Sequence, residues 1–431
     1  MEKSTKLPNI LLILVDSFNH RKIFSQDTLT PEIDKLVNNG VYFSQATSIA
    51  DATLLSTTGL FTGLYPFKTG IRSPTKNLLN KNIHTFFSVL EKEGYENYAF
   101  RPTLQENDDL FPNFKNEDSL YDVFKNMSDG LGEKILDQLQ KKKDKPWFLF
   151  IHPHDLHQPI IVPEEFRDEK FGISNYEKAS ASIDSWIGKI INQINLNETL
   201  VVITGDHGSY VKSLLVDGES IIEADGLTQL RLSQLSNKFP KFLDPIKKKV
   251  FFAMENKKQN KKQEIISKMD LTPNEKRNLL AGRFTTEHSL FDDQIRIPLI
   301  FVGYNVQKGI KITQQVRNID IFPTIFELIG LKNNLDIDGI SLKKIIDGET
   351  IKEIPAFIES NPLTIKKSND VIGIRTSHYK YFRSKENVND RINLYDLQDD
   401  PFENNNLATK RSDIILEMEK ILQSIIGHQK I

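Results

Sequence analysis

The chain has 431 residues, a formal net charge of -2, 39% hydrophobic and 26% charged residues, and no cysteine. This composition suits a soluble globular protein with one large α/β domain, alone or with a smaller partner. It excludes disulfides, zinc–thiolate sites and a cysteine nucleophile, and offers no basic excess for nucleic acid.

Met1 to Pro8 is short and charged and leads into the apolar run Asn9-Ile10-Leu11-Leu12-Ile13-Leu14-Val15, closed by Asp16. The run is too short to span a membrane and lacks a small-residue cleavage site, so it predicts a buried strand, and the expected compartment is the cytoplasm. A capping Thr30 with Pro31 at the first helical position predicts a helix that ends near Gly40. Thr85 to Glu93 predicts another, stopped by Gly94, and Tyr176 to Ile194 a longer amphipathic one. Continuous apolar runs recur at Trp147–Ile151, Leu200–Ile203 and Pro298–Val302. Such runs mark strands covered on both faces. Strands alternating with helices predict a doubly wound, mostly parallel sheet with helices on both faces.

Residues 210–282 break that rhythm. They are rich in Lys, Asn and Gln, with clusters at Lys247-Lys248-Lys249 and Lys257 to Lys262. The segment reads as a mostly helical insertion, either a solvated surface or a lid for an anionic substrate. Beyond about Pro355, Ile372–Arg375 and Lys380–Arg383 look like paired strands, and Ser412–Ile426 like a closing amphipathic helix. The expected division is a catalytic domain over 1–354 and a small α+β subdomain over 355–431.

In a doubly wound sheet the active site lies beyond the carboxyl ends of the strands. Asp16 follows the first apolar run, His152, His154 and His157 follow the second, and Asp206-His207, flanked by Gly205 and Gly208, follows the third. Carboxylate and imidazole side chains together suit zinc or manganese, with calcium or magnesium as oxygen-preferring alternatives. Thr53, Ser56 and Thr57 place hydroxyls at the start of an apolar helical stretch, where a helix N-terminus favours an anion. Position alone does not choose among the three. Taken singly, each residue also has a plain structural explanation. Asp16 fits a turn carboxylate, Thr53 a helix cap, Asp206-His207 a cap with a surface histidine, and His288 an isolated histidine.

Several blocks together resemble the sulfatase family of the alkaline-phosphatase superfamily. They are Pro8-Asn9-Ile10 through Val15-Asp16, Thr30-Pro31 through Leu36, Leu60-Phe61-Thr62-Gly63-Leu64-Tyr65-Pro66, Gly205-Asp206-His207-Gly208, and His288 through Asp293 with Ile297-Pro298. Asp320-Ile321-Phe322-Pro323-Thr324, Asp338-Gly339-Ile340, and Leu394-Tyr395-Asp396 with Asp400-Pro401 complete the series in family order. The resemblance implies an alkaline-phosphatase-like α/β fold with a smaller C-terminal α+β subdomain.

Counted back from Thr62-Gly63, the family's nucleophile position falls on Thr53, which cannot mature to formylglycine by the family's route. The usual Pro of that signature is Leu55 and its Arg is Thr57. The second Asp of the opening pair is Ser17, and a His common before Gly70 is Thr69. These departures resemble the branches in which an unmodified Thr or Ser attacks. There the resemblance implies a divalent metal on Asp16, Thr53, Asp206 and His207, with His157 and His288 catalytic through substrate oxygens or a second metal. Asp155 or His154 could join such a second site. The expected activity is a metal-dependent hydrolase that cleaves a phosphate ester, phosphodiester or phosphonate ester through Thr53. A sulfuric ester hydrolase, a phosphoalcohol transferase and a non-catalytic binding protein are the alternatives. The expected partner is a small-molecule or glycan-linked anionic ester, with no nucleic acid and no membrane span.

Overall fold

The computed structural model describes residues 7–427 except 27, 72–77, 104–109, 113, 212–214, 217–218, 221–262, 265, 281–288, 333–334 and 361–369. The main sheet draws on strands β1 (Asn9–Val15), β2 (Val41–Thr47), β3 (Glu96–Pro102), β4 (Leu120–Tyr121), β5 (Trp147–Ile151) and β6 (Thr199–Gly205). After a short hairpin of β7 (Leu215–Val216) and β8 (Glu219–Ser220), it takes in β9 (Arg296–Gly303), β10 (Ile310–Ile312) and β11 (Val316–Arg317). Its order is β10-β2-β9-β6-β1-β5-β3-β4, with β11 also beside β2.

The three strands that end in metal-type side chains are the central ones. β1 runs parallel to β5 and to β6, with Ile13 opposite both Ile151 and Ile203, so all three carboxyl ends reach the same edge. β1 alternates strictly between two cores. Ile10, Leu12 and Leu14 meet Phe61, Phe86, Phe87 and Phe150 on one face, while Leu11, Ile13 and Val15 meet Ile183, Trp186 and Ile187 on the other. The helices Thr53–Thr62 and Phe86–Lys92 therefore cover the first face and Asn175–Ile191 the second. Each fully buried aliphatic or aromatic side chain contributes about 1.5–3 kcal/mol relative to exposure.

β9 differs from its neighbours in direction. It pairs antiparallel with both β2 and β6, as an apolar run buried on both faces does not reveal. The helix Pro31–Asn38 is also capped differently from expectation. Thr30 donates its hydroxyl to the Ile23 carbonyl and caps nothing. Asp184, on the facing helix, accepts the Glu32 and Ile33 amides instead, at 3.1 and 2.7 Å. A carboxylate brought by tertiary packing satisfies the same orphan donors as a local cap.

The helix Thr53–Thr62 ends at Gly63, whose φ of 69° is the left-handed conformation that glycine adopts freely. The Gly63 carbonyl then accepts the amides of Asp338 and Gly339, both at 2.9 Å, which fixes the far end of that helix.

Beyond the main sheet, β12 (Ala356–Glu359), β13 (Val371–Arg375), β14 (Tyr379–Ser384) and β15 (Asn393–Asp396) form an antiparallel sheet. The helix Ser412–Ile426 packs Met418, Leu422 and Ile426 against its Phe357, Ile372, Ile374 and Tyr381. Buried ions fasten this sheet to the main body. Lys380 Nζ lies 2.6 Å from Asp292 and 2.5 Å from Glu403, and Arg375 grips both Asp292 oxygens at 2.9 Å. Lys247–Lys249 and Lys257–Lys262 lie outside the described residues, so the proposed basic lid is not placed. The helix Pro273–Leu280 belongs to the described part of that insertion. No helix among the described residues is long and apolar enough to cross a membrane.

Candidate active site

Asp16 leaves β1 in a turn held under strain. Ser17 has a φ of 56°, a sparsely populated conformation for a residue with a side chain. Three bonds over-determine it. The Ser17 amide donates to Asp206 Oδ1 at 3.0 Å, its hydroxyl to Asp16 Oδ1 at 2.7 Å, and its carbonyl accepts the Tyr176 hydroxyl at 2.8 Å. Asp206 Oδ1 also accepts the His207 amide at 2.7 Å. Each carboxylate thus has one oxygen tied down. The other oxygens, Asp16 Oδ2 and Asp206 Oδ2, take part in the histidine-lined cluster between β1, β5 and β6.

Thr53 is the first residue of its helix, after Ala52, and so is not the N-cap. Its Oγ stands 3.2 Å from Asp16 Oδ2 and 3.2 Å from His207 Nε2. The competing hydroxyls are engaged elsewhere. Ser56 Oγ donates to the Asp206 carbonyl and receives Asn318 Nδ2 at 2.9 Å. Thr57 folds back onto the Thr53 carbonyl at 2.6 Å. Thr69, where a histidine was the familiar residue, donates to the Pro66 carbonyl. Ser56 supports the loop that carries Asp206, while Thr53 alone of the three faces Asp16 and His207.

β5 delivers the histidines. His154 Nε2 is 3.2 Å from Asp16 Oδ2, and His152 Nε2 is 3.9 and 4.0 Å from Asp16 Oδ2 and Asp206 Oδ2. His157 stacks on His154 with ring centroids 4.1 Å apart, and both come together with Asp16. Asp16, Asp206 and His207 form a second group with metal-ligand spacing. Asp155 is turned away, with Oδ1 accepting the Met127 amide at 2.9 Å, and it enters neither group. His288 lies outside the described residues.

The protonation balance of this cluster follows from burial and opposite charge. Burial pushes the Asp16 carboxyl up, but His154, His157 and His207 outweigh it and hold it well below the usual range. Burial raises Asp206 to about 6, opposed by His207 and reinforced by Asp16. His154 and His207 are lowered by burial yet end above the ordinary imidazole value because of the two carboxylates. His152 drops to about 3 through burial. A buried dication would answer both the carboxylates and the neutral imidazole lone pairs, so the donor set fits a metal.

Local sequence gave no sign of the supporting residues. Tyr176, Asn318 and the Tyr121 hydroxyl, which donates to the His152 carbonyl at 2.5 Å, reach the site from remote segments.

A hydroxyl among carboxylates and imidazoles, at the carboxyl edge of an alkaline-phosphatase-like sheet, is an arrangement that suits a hydrolase acting on ester bonds. The Sulfatase family matches residues 8–331, and the family described as N-sulphoglucosamine sulphohydrolase, C-terminal, matches residues 282–428. The chain belongs to the sulfatase family, a metal-dependent family. It is 21% identical to Arylsulfatase K of Homo sapiens, over all of this chain and 84% of that protein. It is 23% identical to the Delta 4,5-hexuronate-2-O-sulfatase of Bacteroides thetaiotaomicron, over 98% of this chain and 89% of that one. Among solved structures it shares its fold with the phosphonate monoester hydrolase of Agrobacterium radiobacter. The TM-score is 0.67, the identity 16%, and the match covers 97% of this chain and 95% of the other.

Proposed function

We propose that the chain is a metal-dependent hydrolase that removes a sulfate ester from a sugar, with Thr53 as nucleophile. The observation that carries the catalytic part is the isolation of the Thr53 hydroxyl, within 3.2 Å of both Asp16 and His207. The substrate class is supported by the relatives, which are named as sulfatases, one of them for a hexuronate. This shifts the emphasis from the phosphorus ester that the sequence motifs favoured.

Asp16, Asp206 and His207 would hold a dication, whose positive charge would lower the hydroxyl pKa and stabilise the substrate's oxygens. The Thr53 hydroxyl, which points at Asp16 Oδ2, loses its proton to solvent as it attacks, since Asp16 is held too acidic to keep it. Thr53 Oγ then bonds to the central atom of the ester group as the bond to the sugar oxygen breaks. That oxygen takes a proton, for which His157 beside Asp16 is the candidate donor. Water attacks the central atom in the second step, the bond to Thr53 Oγ breaks, and the threonine regains its proton. Throughout, the N-terminal end of the helix Thr53–Thr62 presents its partial positive charge to the anion. His288 is retained as a substrate-oxygen contact on the family resemblance.

The second reading is a phosphate or phosphonate ester, and Thr53 itself favours it. A plain alcohol at this position, without the family's aldehyde maturation, suits a phosphorylated intermediate that water can open. A panel of sugar sulfates, phosphate monoesters, phosphodiesters and phosphonates, run with added zinc, manganese and calcium, separates the two. Turnover of sugar sulfates above the phosphorus esters is expected. Turnover confined to phosphorus esters replaces the first reading with the second, and no turnover of any ester removes both.

A further inference from the structure

A shallow groove runs from His154 and His157 to Phe124 and Lys125, with Asn126 and Gln158 also lining it. In the proposed reaction His157 gives its proton to the oxygen that departs with the sugar. An in-line displacement sets the attacking and leaving oxygens on opposite sides of the central atom. With Thr53 attacking, the sugar ring lies on the His157 side, where this groove begins.

The segment that carries Phe124 and Lys125 is a fixed ledge. The Phe124 amide donates to Asp122 Oδ1 at 2.9 Å, and the Lys125 amide to the Asp122 carbonyl at 2.9 Å. Three further bonds pin the ledge to the stretch that bears the histidines. The Val123 carbonyl accepts from His154 Nδ1 at 3.2 Å, Asp155 Oδ1 accepts the Met127 amide at 2.9 Å, and the Ile161 carbonyl accepts from Asn126 Nδ2 at 3.4 Å. The positions of Phe124 and Lys125 relative to His157 are therefore set in the free protein, which lowers the ordering cost of binding.

On this ledge Phe124 is 42% exposed, and Lys125 is exposed with no carboxylate partner among the described residues. Either feature alone is ordinary at a protein surface. Side by side, in one groove with the candidate acid, they match one kind of ligand. A pyranose has a flat face of C–H groups that can cover an aromatic ring and take its apolar area out of water. The Lys125 ammonium is a point charge for a negative substituent on that ring.

We propose that this groove is the subsite for the leaving sugar. Phe124 covers one face of the ring and Lys125 pairs with an anionic substituent on it, so esters of acidic sugars are preferred over esters of neutral ones. The inference rests on the proposed sugar-ester reading. It is tested by binding rather than turnover, so the two can fail separately.

The full chain is titrated, with saturation-transfer nuclear magnetic resonance as readout, against three methyl glucosides that differ only at C6. One carries the neutral hydroxymethyl group, one a carboxylate and one a sulfonate. The wild-type protein should bind at least one charged glycoside about threefold to fivefold more tightly than the neutral one, and added salt should narrow the gap. Whichever charged glycoside leads names the substituent as a carboxylate or a second sulfate. Lys125→Gln should bring all three to the same affinity. Phe124→Ala should weaken all three alike, by about threefold to tenfold. A thermal melt checks each variant, and if one does not fold, the ranking of the three glycosides on the wild-type protein decides. Equal affinities in the wild-type protein, a preference for charge that survives Lys125→Gln, or no binding of any glycoside would overturn the proposal. The expected ranking in a protein that hydrolyses no ester would sustain the subsite and remove the proposed function. Hydrolysis of sugar esters with the same KM in wild type, Lys125→Gln and Phe124→Ala would keep the function and overturn the subsite.

Discussion

Two clusters of buried charge lie in this molecule, and they are built on opposite principles. Where the C-terminal sheet meets the main body, Asp292 and Glu403 are answered by Arg375 and Lys380 at 2.5–2.9 Å. At the carboxyl edge of the main sheet, Asp16 and Asp206 face His152, His154 and His207 at 3.2–4.0 Å. The first cluster is closed by the side chains of Arg375 and Lys380, set directly against the two carboxylates. The second sets carboxylates against imidazoles alone, with no guanidinium or ammonium group, and it keeps buried atoms without a hydrogen-bond partner. Permanent pairing suits a joint, and exchangeable pairing suits a place where a cation and an anionic substrate come and go.

The largest test of the contrast is at Thr53. If Thr53 is the nucleophile proposed above, Thr53→Ala should lower kcat/KM by at least about 10³-fold with little change in melting temperature. Thr53→Ser should retain part of the rate. A rate close to wild type in Thr53→Ala would erase the functional side of the comparison. The joint should answer in the opposite currency. Lys380→Met leaves Asp292 and Glu403 without their shared cation and should cost about 3–5 kcal/mol in denaturant unfolding. Measured stability within 1 kcal/mol of wild type, about the scatter of an exposed pair, would show that the joint is not held by this ion.

Ser56 lies between the two cases, since its hydroxyl joins the Asp206 carbonyl to Asn318. Ser56→Ala should cost about 1–2 kcal/mol of stability and less than about tenfold in rate. A rate loss as deep as that of Thr53→Ala would make Ser56 the better nucleophile. The smallest effect is expected at Glu419, whose carboxylate holds Arg383 and the Tyr381 hydroxyl at 2.7–3.1 Å. Burial raises the Glu419 carboxyl, but Arg383 outweighs this and brings it below its ordinary value. Its contribution is therefore present above the unfolded-state pKa and fades as pH falls through the lower folded value. Glu419→Gln should cost about 1 kcal/mol at neutral pH, discounted for partial exposure. The difference from wild type should shrink in acid, and a difference that grows there would contradict the sign.

The contrast also explains what could be read in advance. β1, β5 and β6 were legible because runs buried on both faces leave an unmistakable apolar signature, and the closing helix because its apolar spacing is helical. Their shared edge followed from parallel packing, so Asp16, His154 and Asp206 could be expected to meet. The direction of β9 was hidden, since Ile297 to Val302 is apolar throughout whichever way the strand runs. Position alone left Thr53, Ser56 and Thr57 equal and only the family signature singled out Thr53, because three neighbouring hydroxyls differ in what faces them, which sequence does not carry. The joint was not legible at all. Asp292, Lys380 and Glu403 are remote in sequence, and each alone looks like an ordinary surface charge.

The adjacency of β6, β1 and β5 has a thermodynamic consequence. The residues proposed to hold the ion, Asp16, Thr53, Asp206 and His207, belong to distant stretches of chain that converge only when the central strands are aligned. An unfolded chain cannot present them together, so an ion that recognises the set binds the native state alone. Its occupancy is then a term in folding stability, worth about 2.7 kcal/mol when free ion exceeds its dissociation constant a hundredfold. Ion supply would thus govern how long the protein lasts as well as how fast it works.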